Sequence, residues 1–100
     1  MAVYLISDAD WKGASLETIQ EFAAAARSVI LKYGGKFLTV PQTQELLEGD
    51  WKPKQVLVVE FPNAEAIREM WESPEYLAAA AIRRQANADF KIIMVEGAPA

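Results

Sequence analysis

The sequence predicts an α+β domain with the element order β-α-β-β-α-β and a four-stranded antiparallel sheet. Three observations lead there. Short runs of β-branched and aromatic residues at 3–7, 36–40, 55–61 and 90–95 read as strands. Two stretches with apolar residues at three- and four-residue spacing separate the first strand from the second and the third from the fourth. The strands are apolar at both parities, unlike a sheet with one wet face. This order is the ferredoxin-like split βαβ arrangement, with both helices on one face of the sheet.

The first strand reads Val-Tyr-Leu-Ile-Ser and closes on Asp8-Ala9-Asp10. That triplet reads as turn chemistry, because the remaining ligands of a calcium loop are missing. After a loop at 11–14, Ser15 is the N-cap of the first helix, with Glu17 in the turn where the helix dipole favours an acid. Leu16, Ile19, Ala23, Ala26, Ile30 and Tyr33 form its apolar stripe, widened by Phe22 and Val29. Gly34-Gly35 stops the helix, since glycine tolerates a left-handed cap; following a helix rather than opening one, the pair is no phosphate loop.

The second strand, 36–40, ends at Pro41. Residues 42–47 fit a short strand or an irregular run, and 49–53 form a loop. The third strand, 55–61, is stopped by Pro62. Asn63 caps a second helix from 64 to about 71, with Ile67, Met70 and Trp71 inward. Ser73-Pro74-Glu75 restarts it with a serine cap, a proline at the first helical position and an acid. Tyr76, Leu77, Ala80 and Ala81 then form a stripe to about residue 86. Asn87-Ala88-Asp89 breaks it before the last strand. One hundred residues fit a single domain over 1–100, with its core at 3–97.

In the third strand Leu57 and Val59 oppose Val56 and Val58; in the last, Ile92 and Met94 oppose Ile93 and Val95. Two helices cover one face only. A second copy of the sheet is the simplest cover for the other, giving a homodimer, a dimeric α+β barrel. A loop at 42–54 folded over that face is the alternative. An apolar share of 52% is high for so small a body and fits a surface that meets a partner.

Composition excludes much chemistry. With no cysteine there are no disulfides or thiolate nucleophiles, and with no histidine there is no imidazole base. Acid–base work falls to Asp, Glu, Lys or Tyr, and no metal or other cofactor is expected. A net charge of −4 with scattered bases argues against nucleic acid. No apolar run approaches ~18 residues, and the first residues lack a basic region, so neither a membrane span nor a signal peptide is expected and the cytoplasm is the default compartment.

Six side chains are candidates for a site. Glu60 lies in the most apolar strand, where a carboxylate is either a base of raised pKa or a paired strand-end acid. Arg83 and Arg84 point about 100° apart on a helix, so only one follows the inner edge. There a guanidinium either clamps an anionic ligand or pairs with Glu48, Glu60 or Glu75. Glu48-Gly49-Asp50-Trp51 is a loop, where binding residues gather; Trp51 is either a stacking wall or a plug in a core or dimer seam. Tyr33 and Tyr76 can offer hydroxyls or serve as core with a solvated tip. Trp71 reads as core, and Trp11 fits either role.

Several motifs together resemble the bacterial domain-of-unknown-function family 1330. They are Lys32-Tyr33-Gly34-Gly35-Lys36-Phe37, Leu47-Glu48-Gly49-Asp50-Trp51, Val59-Glu60-Phe61-Pro62, Trp71-Glu72-Ser73-Pro74-Glu75-Tyr76 and Val95-Glu96-Gly97, with Arg83 at the matching offset. The chain departs from many relatives around Val40 to Gln44, where they carry a glycine-containing turn. The resemblance implies a ferredoxin-like subunit of a dimeric α+β barrel and favours Arg83 over Arg84; it implies no reaction. The expected function is binding of a small anionic or aromatic molecule in a pocket lined by Tyr33, Glu48, Trp51, Tyr76 and Arg83, with Glu60 and Arg83 as the catalytic candidates. The alternatives are a cofactor-free monooxygenase- or isomerase-like enzyme and a non-catalytic dimeric assembly module.

Overall fold

The computed structural model describes residues 1–40 and 43–99. Its elements are β1 (Val3–Asp10), α1 (Leu16–Lys32), β2 (Lys36–Phe37), β3 (Val56–Phe61), α2 (Ala64–Glu72), α3 (Pro74–Gln85) and β4 (Asp89–Glu96). The strands lie in the order β2-β3-β1-β4, every neighbouring pair antiparallel. This is the α+β ferredoxin-like sheet that the strand and helix patterns predict.

Local chemistry sets the helix boundaries. Ser15 Oγ accepts the Thr18 N–H at 3.1 Å, and Asn63 Oδ1 accepts the Ala66 N–H at 2.8 Å. Ser73 serves two helices: its hydroxyl donates to the Met70 carbonyl at 2.7 Å and accepts the Tyr76 N–H at 3.1 Å. At the end of α1, Gly34 takes φ +86°, its N–H reaches the Leu31 carbonyl, and the Gly35 N–H reaches the Ile30 carbonyl at 2.8 Å. That paired closure is a Schellman motif.

Strand lengths differ from expectation at two places. β1 continues to Asp10 because Asp8, Ala9 and Asp10 pair with Lys91, Phe90 and Asp89 of β4. Asp8 is therefore a strand residue, while Asp10 makes the turn by accepting the Lys12 N–H. β2 stops after two residues because the N–H groups of Leu38 and Thr39 both reach the Val58 carbonyl, two residues opposite one, as in a bulge. Thr39 Oγ1 accepts the Val58 N–H at 2.9 Å in place of a backbone carbonyl. Pro41, expected to end this strand, and Gln42 lie outside the described residues.

Val3, Val59 and Phe61 of the sheet pack against Val29, Ile30, Ile67, Met70, Tyr76 and Ala80 of the helices. Three expected core positions are corrected. Trp71 is 36% exposed at the margin of the core, where it stacks on Tyr76 at 4.7 Å and borders a groove with Leu5, Ile67 and Ile92. Leu77 is half exposed; the buried stripe of α3 is Tyr76, Ala79, Ala80 and Arg83, a phase set by the restart at Ser73. Leu16, in the first turn of α1, is exposed.

The register divides the sheet into two faces. Val3, Leu5, Ser7 and Ala9 look toward the helices with Phe61, Val59, Leu57, Ile92 and Phe90. The other face carries Lys36, Glu60, Tyr4 and Val95 in one row and Val58, Ile6 and Ile93 in the next. The protein is only 17 Å thick, one sheet and one helix layer. The loop after β2 is tied down at the Asp8 end of the sheet and leaves Ile93 59% exposed. No helix of the described residues is long and apolar enough to cross a membrane.

Candidate functional site

A cavity of about 420 Å³ opens between the sheet and α1. Its volume is in the small-molecule range of roughly 300–1,000 Å³. Leu5, Leu57 and Ile92 form the floor, and Ile19, Phe22 and Ala26 the roof. Trp11, Phe22 and Phe90 close one side as an edge-to-face trio, with ring centroids 5.1–5.4 Å apart. The polar lining is sparse: Ser7 on β1, Gln55 just before β3, Thr39 after β2, Tyr76 and Arg27. No aspartate or glutamate lines it among the described residues.

Behind the wall stands Arg83. It follows Tyr76 by seven residues, two helical turns, and so shares its face of α3. Its Nη2 donates to the Tyr76 hydroxyl at 3.1 Å, and its guanidinium carbon lies 5.0 Å from the centre of the Phe90 ring. Tyr76 and Phe90 both line the cavity. Arg83 is 93% buried, its Nε has no hydrogen-bond partner, and no carboxylate lies within salt-bridge distance among the described residues. A buried cation without a counter-ion is costly. The ring face of Phe90 and the carbonyl end of α3 offset part of that cost.

The other candidates lie elsewhere. Glu60 is on the outer face, level with Tyr4 and Lys36, so the sheet separates it from Arg83. Glu48 is exposed in the loop. Trp51 donates its indole N–H to Asp8 on the outer face. Tyr33, at the C-cap of α1, donates to Glu75 at 3.4 Å beside the Lys32–Glu75 ion pair at 3.0 Å. Arg83 thus pairs with none of Glu48, Glu60 or Glu75. Of the six candidates, only Tyr76 and Arg83 come together at the cavity.

Two features of the cavity escape sequence reasoning. Arg27 reaches the mouth from the flank of the α1 stripe, its guanidinium 5.5 Å from the centre of the Phe37 ring. Its position four residues after Ala23 and three before Ile30 is the signal that would have marked it. Ser7, Thr39 and Gln55 carry no such signal: strand register turns Ser7 inward, and Thr39 and Gln55 lie just beyond the ends of β2 and β3. No cluster of three or more acidic side chains among the described residues could hold a metal ion.

The family model described as Domain of unknown function (DUF1330) matches residues 2–98. The chain belongs to the DUF1330 family. No curated protein matches it. A protein of unknown function from Rhodopseudomonas palustris is 22% identical, with a TM-score of 0.70 over 99% of this chain and 84% of that one. SnoaB, a cofactor-independent oxygenase from Streptomyces nogalater, is 18% identical, with a TM-score of 0.70 over 99% and 95%. A dimeric ferredoxin-like protein of unknown function from Jannaschia sp. CCS1 is 11% identical, with a TM-score of 0.73 over 97% and 100%. At these identities the likeness gives this DUF1330 chain its fold, not an activity.

Proposed function

We propose that the chain is a homodimeric binding protein that takes a small, largely apolar molecule carrying an anionic or strongly polarised oxygen into the cavity under α1. The observation that carries this reading is Arg83, a buried guanidinium with no carboxylate in salt-bridge distance among the described residues, hydrogen-bonded to the hydroxyl of a cavity-lining tyrosine. A ligand oxygen at Tyr76 would accept the phenolic proton while Arg83 donates to the phenolic oxygen, so the cation acts through the tyrosine. Among the described residues the cavity wall carries no aspartate or glutamate, and the chain has no histidine, which favours binding over proton-transfer catalysis.

The homodimer is supported by the apolar row Val58, Ile6 and Ile93 on the outer face of the sheet and by structural relatives from Thermobifida fusca and Jannaschia sp. CCS1 that are described as dimeric. In this assembly Glu60 and Trp51 belong to the seam between copies. Native mass spectrometry of freshly purified protein tests both parts at once. The expected species is a dimer with retained ligand, and the ligand is lost in Arg83→Met. A ligand-free monomer would sink the reading.

A further inference from the structure

An arginine stands near each end of the cavity although the chain carries a net charge of −4. Arg83 lies behind Tyr76 and Phe90 on the β4 side. Arg27 stands at the mouth on the β2 side, beside Phe37, Thr39 and Gln55. No carboxylate lies within salt-bridge distance of Arg27 among the described residues. Its guanidinium lies over the Phe37 ring at the opening, a contact that leaves its N–H fork free to meet a ligand. The Thr39 hydroxyl oxygen already accepts the Val58 N–H, so its own proton is available for a ligand. Between these two ends the lining is almost wholly aliphatic and aromatic.

We infer that Arg27 is a second, outer anchor and that the ligand class is an apolar carboxylic acid with a hydroxyl or keto oxygen at its far end. The carboxylate takes the Arg27 fork and the Thr39 hydroxyl at the mouth. The apolar body lies between Leu5, Leu57 and Phe22, and the far oxygen meets Tyr76. This assignment rests on the cavity reading given under Proposed function and adds to it a head group, an orientation and a specificity residue. Arg27 is an exposed helix residue, so replacing it leaves the core untouched.

Three aromatic probes separate the two ends: 6-hydroxy-2-naphthoate, 2-naphthoate without the hydroxyl, and 2-naphthol without the carboxylate. Their affinities are measured by calorimetry on the wild type, Arg27→Gln, Tyr76→Phe and Arg83→Met. The bifunctional probe is expected to bind tightest. Arg27→Gln should weaken both carboxylates by about tenfold or more, the worth of one charge-assisted contact, and leave 2-naphthol unchanged. Tyr76→Phe should weaken the two hydroxylated probes and spare 2-naphthoate. Equal carboxylate affinities in wild type and Arg27→Gln, with Arg83→Met still weakening binding, overturn the outer anchor and leave the cavity reading standing. Failure of all three probes to bind the wild type overturns both.

Discussion

Asp8 holds Trp51 against the outer face of the sheet. The indole N–H donates to one carboxylate oxygen at 3.1 Å, and the other accepts the N–H groups of Lys54 at 2.9 Å and Gln55 at 3.0 Å. One strand side chain thereby ties the end of a long loop to β1. Partial burial pushes the Asp8 carboxyl up, but the hydrogen bonds from Gln55, Lys54 and Trp51, helped by the charge of Lys91, together outweigh it and hold the group below its ordinary value of 3.8. The sign follows by linkage: the contribution to stability is complete above 3.8 and is lost as pH falls through the lower folded value. With Trp11 and Trp71 replaced by phenylalanine, Trp51 emission should shift with a midpoint below 3.8. Asp8→Ala should produce that shift at neutral pH and cost about 1 kcal/mol, since solvent screens the site. A midpoint at or above the ordinary value would contradict the clamp.

Arg83 sets ligand binding and stability against each other. Methionine keeps the apolar stem and removes a buried charge that has no carboxylate partner among the described residues. Replacing such a charge by an apolar group of similar volume is often neutral or stabilising. Arg83→Met is therefore expected to unfold at an equal or higher temperature while losing the ligand. Were Arg83 a structural partner only, thermal denaturation would show a loss of stability on the order of 3 kcal/mol.

The homodimer predicts a sharp contrast at Ile93. This side chain is 59% exposed and shares a row with Ile6 and Val58. Ile93→Asp should barely alter the fold of one subunit but place a charge in the seam between two. Light scattering at micromolar concentration should give twice the chain mass for the wild type and the single mass for the variant, with unchanged far-ultraviolet circular dichroism. An Ile93→Asp protein that stays dimeric would move the interface away from this face.

The fold was legible because periodicity and caps agree, as at Ser15, Asn63 and Ser73, where a capping residue precedes each apolar stripe. The site was less so, for a definite reason. In β3 both parities are apolar, so alternation cannot say whether Glu60 faces the helices or the open side. Pairing with Tyr4 and Lys36 decides it, and pairing is non-local. The Tyr76–Arg83 contact was within reach, because a spacing of seven puts both on one helix face. The role of Asp8 was hidden, since its three donors lie more than forty residues away.

The two adjacent glycines after α1 do different work, and substitution separates them. Gly34 has φ +86°, which L side chains rarely adopt, yet an added Cβ would meet only the Pro62 ring at ordinary contact distance. Gly34→Ala therefore carries a conformational cost of about 1 kcal/mol. Gly35 has no such dihedral, but a Cβ there would run into the Ile30 side chain, sit 2.9 Å from the Ile30 carbonyl oxygen and 3.0 Å from the Phe61 ring. Phe61 is fully buried and Ile30 lines the cavity, so neither can retreat into solvent. Gly35→Ala should cost about 1–3 kcal/mol through overpacking and lower the melting temperature by roughly 10 °C. It should also weaken ligand binding, since the displaced Ile30 moves into the cavity, whereas Gly34→Ala should leave binding intact. Thermal melts and 6-hydroxy-2-naphthoate titrations of the two variants decide it, and the reverse order of effects would mean that the α1 terminus does not shape the cavity.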